Sequence, residues 1–175
     1  AGISALESTC LIWGSTYLSE TIGLSADMAA AFITFYFAGI TLGRFFSALL
    51  SLKFSDWKII ILGQSAILIA VCILLLTDRT EPAVFGLFLI GLGNGPVFPN
   101  MTHLTPVLYK KETSQSIIGI EMAFSNLSIM LTPVLFGFVS GIWGTEIFPV
   151  FLAVMFVLMA GCTIVLKIGD SKSRR

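Results

Sequence analysis

The chain has 175 residues, of which 56% are hydrophobic and 11% charged; ten basic and ten acidic residues cancel to zero net charge. An average soluble domain is about 25% charged, so a fully water-exposed surface is excluded, and so is disorder, which needs low hydrophobicity. Zero net charge also excludes a basic face for nucleic acid, leaving an integral membrane protein with room for about six or seven helices.

Six long apolar segments follow one another, at about residues 1–18, 27–52, 57–76, 83–109, 114–139 and 146–167. They are continuous rather than alternating, so helices are expected and not barrel strands. The expected fold is all-α, a polytopic membrane protein with six transmembrane helices. The chain starts at Ala1 within an apolar segment, and the expectation is a piece of a longer protein.

The first segment places Ser4, Glu7, Cys10, Gly14 and Tyr17 on one helical face, with Trp13 at its edge. An ionisable residue at membrane depth is a functional candidate by default. Glu7 has two readings. It lines an aqueous cavity, binding a hydroxyl or carrying a coupling proton, or it reaches water at a helix end. In the second segment Gly43 and Arg44 end an apolar run. Arg44 either snorkels to the interface or latches helix ends together. The third segment has only Gln64 and Ser65 as polar groups, and the sixth almost none, so both read as lipid-facing scaffold.

The fourth segment contains Gly91-Leu92-Gly93-Asn94-Gly95-Pro96-Val97-Phe98-Pro99-Asn100. Two prolines and three glycines are expected to loosen the helix, because each proline removes a donor and frees an upstream carbonyl. Two readings stay open: an interrupted helix at a binding site, with Asn94 and Asn100 facing a polar solute, or a kinked packing helix. His103 reads as a capping or packing group. In the fifth segment Thr113 is the expected N-cap. Glu121, Ser125, Ser128 and Thr132 share a face that suits a lumen or a helix contact. Cys10, Cys72 and Cys162 sit in apolar runs, with neither disulfide nor metal spacing, and no cofactor or metal is expected.

With six spans, one side of the membrane receives Arg44, Lys53, Lys58, Lys110, Lys111, Lys167, Lys172, Arg174 and Arg175. The other receives only Arg79. By the positive-inside rule the C-terminus is expected in the cytoplasm.

Four stretches resemble the C-terminal half of a major facilitator superfamily transporter, near the bacterial fucose-permease-like sugar branch. They are ESTCLIWGSTYL at Glu7–Leu18, FYFAGITLGRFFSALL at Phe35–Leu50, GLGNGPVFPNMTHLTP at Gly91–Pro106, and SQSIIGIEMAFSNLSIMLTPVLFG at Ser114–Gly137. The resemblance implies that residues 1–175 are family helices seven to twelve, half of a twelve-helix fold whose N-terminal six-helix half is the missing partner. It implies a cavity contacted by Glu7, Trp13, Tyr17, Asn94 and Asn100, flanked by Glu121 and Asn126. Gly43 and Arg44 resemble a degenerate copy of the family's cytoplasmic loop motif, without its Asp. The implied function is secondary active transport of a small polar solute, sugars first, by alternating access in a bacterial plasma membrane. No nucleotide-binding motif is present, so an ion gradient, protons first, is the expected drive for symport. The alternative is a six-helix membrane protein of non-transport function, an assembly protein or a membrane enzyme. A single His and no acid pair at helical spacing argue against the enzyme.

Overall fold

The structure, a computed structural model, describes residues 1–173, except the side chains of residues 111, 112, 172 and 173. Arg174 and Arg175, counted above on the basic side, lie outside the described residues. The helices are α1 (Gly2–Glu20), α2 (Ala26–Leu50), α3 (Asp56–Leu76), α4 (Thr80–Leu108), α5 (Lys111–Trp143) and α6 (Phe148–Ser173). A short 3-10 turn at Thr145–Ile147 precedes α6.

Helices α2 to α6 are long and apolar enough to cross a membrane; α1 is not, although six spans were expected. The reason lies in where α1 sits. Ser4, Ser8, Thr9, Cys10 and Gly14 are buried within the bundle, so α1 needs less of the apolar surface that lipid demands. Successive helices run in alternating directions. At one end Asp56, at the start of α3, meets His103 near the end of α4, 3.0 Å apart. There too, the indole N–H of Trp57 donates to Asp170 of α6 at 3.0 Å. At the other end the Thr21 and Thr145 hydroxyls lie 3.1 Å apart.

Local chemistry sets the helix ends. Ser25 caps α2 by accepting from the Met28 amide, and Asp27 in the first turn complements the helix dipole. α4 starts at Thr80, with Pro82 in its first turn, where a missing N–H costs nothing. Thr113 does not cap α5: the helix begins earlier, and the Thr113 amide donates to Lys110 within the first turn. α5 also runs past residue 139 to Trp143. It stops at Gly144, whose φ of 81° is the left-handed conformation that ends many helices.

The prolines and glycines do not interrupt α4. α4 is helical through Pro96, Pro99 and Pro106. The bundle holds it by close backbone packing. Gly91 and Gly95 lie on the α2 backbone at Tyr36 and Ile40, and Gly39 and Gly43 of α2 lie on Phe88 and Leu92. On the opposite side, Gly93 and Gly63 of α3 face each other's carbonyls. The Leu92 carbonyl, which Pro96 deprives of its helical donor, thus lies buried in protein against Gly43. Of the two readings of this segment, the packing helix describes the backbone.

α4 is therefore the central post between α2 and α3, and α1, α5 and α6 complete the bundle. α3 and α6 are not purely lipid-facing scaffold. Buried Gln64 donates to the Thr163 hydroxyl across their contact at 2.7 Å, and that hydroxyl donates to Met159 O. Large apolar side chains such as Leu52, Leu76, Phe138 and Val165 point outward, as lipid contact requires.

Candidate functional site

Four helices, α1, α2, α4 and α5, converge on a cavity of about 260 Å³. Its polar wall is made by Ser4, Glu7 and Ser8 of α1, Arg44 of α2, Asn94 of α4, and Ser125 and Asn126 of α5. Leu11, Phe98, Met122 and Ile129 supply apolar surface. A small number of polar groups set in an apolar lining is the usual make-up of a small-molecule site.

The glycine seams position this wall. An added Cβ at Gly95 would lie 2.9 Å from the Arg44 backbone nitrogen, so only glycine lets α2 come close enough to bring Arg44 to the cavity. Arg44 lies six residues before Leu50 and Glu7 five after Gly2, each about 8–9 Å along its helix from the same end of the bundle. Gly43 and Arg44 therefore sit inside α2, not in the loop that the motif resemblance implied; that loop is at residues 51–55. Arg44, expected at the interface or as a latch, also lines the cavity. The available signal was Gly39-xxx-Gly43, a small-residue pair that marks a helix contact rather than a helix end.

Asn94 is held from two sides. Its Nδ2 donates to Ile3 O of α1 at 3.3 Å and to the Tyr36 hydroxyl of α2 at 3.5 Å. This fixes the amide, because the reversed amide would set two acceptors against each other at Ile3. Its Oδ1 is buried and has no hydrogen-bond partner, although Asn94 is only 2% exposed. An unmade bond at a buried acceptor costs about 1–3 kcal/mol. Glu7 and Arg44 face the same space without forming an ion pair.

The other expected site residues lie elsewhere. Tyr17 is buried and stacks on Phe148 with ring centroids 4.8 Å apart. Trp13 donates its indole N–H to Pro133 O of α5 at 3.0 Å and packs edge-on against Phe136. Asn100 is buried with its donors used, to the Ser47 hydroxyl at 2.7 Å and to Pro96 O at 2.5 Å. Glu121 lines a neighbouring cavity of about 280 Å³ between α1, α4, α5 and α6, and accepts from the Thr105 hydroxyl at 3.3 Å. The polar strip of α5 is thus divided: Glu121 and Ser125 open to different cavities, and Ser128 bonds back to Phe124 O. Of the expected contacts, Glu7, Asn94 and Asn126 come together, joined by Arg44. No group of three or more metal-ligating side chains occurs among the described residues.

A sequence model of the family described as Major Facilitator Superfamily matches residues 1–175. No curated protein and no solved structure matches the chain. The match spans the whole sequence, the structure is all-helical, and five helices suit a bilayer. The chain belongs to the major facilitator superfamily, a family of membrane transporters.

Proposed function

We propose that the chain is the C-terminal six-helix half of a proton-coupled symporter for a sugar-like solute. Its six helices span the plasma membrane, with the C-terminus in the cytoplasm. Alternating access arises as this half rocks against an N-terminal six-helix half around a shared midplane site. The observation that carries the reading is the α1–α2–α4–α5 cavity, with Ser4, Glu7, Arg44, Asn94 and Asn126 on its wall. Exposed Asn126 offers both a donor and an acceptor to a solute hydroxyl. Family membership supports transport over an assembly role or membrane catalysis. The basic residues at the end shared by Lys53, Lys58 and Lys110 support the orientation.

The test uses the full-length protein in proteoliposomes, with a panel of labelled neutral and acidic sugars and an imposed pH gradient. Gradient-driven uptake of at least one sugar is expected. Asn126→Ala lowers that uptake about tenfold, the equivalent of one lost hydrogen bond to the solute. Asn100→Ala, at a residue whose donors are already used within the bundle, lowers it far less. Uptake of no sugar in the panel, or an Asn126→Ala protein that transports like the parent, overturns the proposal.

A further inference from the structure

The turn that joins α2 to α3 alternates polar and apolar residues: Ser51, Leu52, Lys53, Phe54 and Ser55. Bonds back to α2 order it, the Lys53 and Phe54 amides donating to Leu50 O at 3.0 and 2.8 Å. Its apolar side chains are not covered by the bundle: Leu52 is 81% exposed and Phe54 47%. Two large apolar groups on a polar turn are costly in water and favourable in lipid. Phe45 and Leu49 of α2 are also exposed, at a helical spacing that leads on to Leu52, so an apolar track runs down α2 into the turn. Beside Phe54 lies a cation, the Lys58 ammonium, 5.8 Å from the ring centroid. Lys53 and Lys58 are both exposed, and neither forms an ion pair among the described residues. The one acid between them, Asp56, is engaged by His103 of α4 at 3.0 Å.

We infer that this corner binds an anionic phospholipid, its phosphate held by Lys53 and Lys58 and an acyl chain laid along Phe45, Leu49 and Leu52. The inference needs the chain to sit in a membrane and does not depend on what it transports. Cations and apolar surface meet here at one boundary, where α2 ends, and a phospholipid carries its phosphate and its chains in the same order. A lysine ammonium is a compact point charge that suits a phosphate oxygen. The corner carries two positive charges against one, so a lipid with net negative charge is favoured over a zwitterionic one, whose own cation meets two lysines. A free phosphate would satisfy the lysines but leave Leu52 and Phe54 uncovered, so the apolar track selects a lipid. Each lysine near a membrane surface favours an anionic lipid by about fivefold. Apolar burial and charge attraction act together in this way wherever a basic, amphipathic segment lies at the interface.

The experiment titrates the full-length protein in detergent with phosphatidylglycerol or phosphatidylcholine of identical acyl chains, and counts bound lipid by native mass spectrometry. Phosphatidylglycerol is expected to bind about tenfold more tightly or better. Lys53→Gln and Lys58→Gln each lower that affinity about fivefold, and the double variant brings it close to that of phosphatidylcholine. Lys53→Arg combined with Lys58→Arg retains most of it, since the charges remain. Leu52→Ser combined with Phe54→Ser weakens the binding of both lipids. Lys110→Gln and Lys167→Gln, at the same end of the bundle but on other helices, leave the affinity unchanged. Equal binding of the two lipids by the parent overturns the inference, as does a double Gln variant that binds like the parent. An equal loss in Lys110→Gln and Lys167→Gln also overturns it, because the charge would then act as a diffuse surface. So does glycerol 1-phosphate that competes as well as the whole lipid, which would make the corner a site for free phosphate. The comparison of lipids on the parent needs no variant, so a double Gln protein that failed to fold would not shelter the inference.

Discussion

The two sides of α4 are built on opposite principles. Toward α2 and α3 it presents Gly91, Gly93 and Gly95, and the neighbouring backbones come so close that an added Cβ would strike a carbonyl. Toward α1 and α5 it presents Asn94 and Phe98, and the helices stand apart around a cavity. Adjacent residues of one turn thus serve both packing and recognition. The difference teaches that the glycines are not there to make the helix flexible. They fix the α2–α4–α3 unit so that Asn94 and Arg44 have defined positions on an open wall.

The sharpest way to break this contrast is to put a side chain into a seam. Gly91→Val places methyl groups against the Tyr36 carbonyl, which the α2 helix cannot move aside. A loss of about 3 kcal/mol or more is expected, with failed expression or a strongly lowered melting temperature in detergent. Gly119→Ala is the matched control: nothing lies within 4 Å of its added Cβ, and stability is unchanged or slightly raised.

A smaller effect is expected on the open side. Trp13→Phe keeps an aromatic ring against Phe136 but removes the N–H that donates to Pro133 O. The expected cost is about 1 kcal/mol, read from thermal unfolding of the full-length protein. Selectivity between sugars is expected to stay as in the parent, since Trp13 does not line the Glu7–Arg44 cavity. A change of selectivity would place Trp13 in the site after all and erase the division between wall and support. The smallest effect belongs to Gln64→Leu at the α3–α6 contact. Thr163 keeps its bond to Met159 O, so no buried group is orphaned and a change within about 1 kcal/mol is expected. Uptake should match the parent.

Much of the fold could be read from the chain, because apolar runs of spanning length admit only helices in lipid. Segment order and count agree with α1 to α6, and ends differ by a few residues where caps or a glycine decide, as at Gly144. The site was harder to read. Helical periodicity tells which residues share a face, but not which partner that face meets. It grouped Glu7 with Tyr17, yet their stripe crosses from a cavity into the core beside Phe148. It offered Asn94 and Asn100 as equals, and only tertiary contacts separate them: Asn100 finds Ser47 and Pro96 O, whereas Asn94 Oδ1 finds nothing. The meeting of Glu7 and Arg44, distant in sequence, depends on Gly95 admitting α2, a packing fact that no local pattern contains.

The seams between α2 and α4 also act as a ratchet. Gly39 and Gly43 on one helix, and Gly91 and Gly95 on the other, repeat every four residues, about 6 Å along the axis. Axial slippage by less than one such tooth drives a Cβ into a backbone. α2 and α4 are therefore locked in register, and the cavity wall they share keeps one shape.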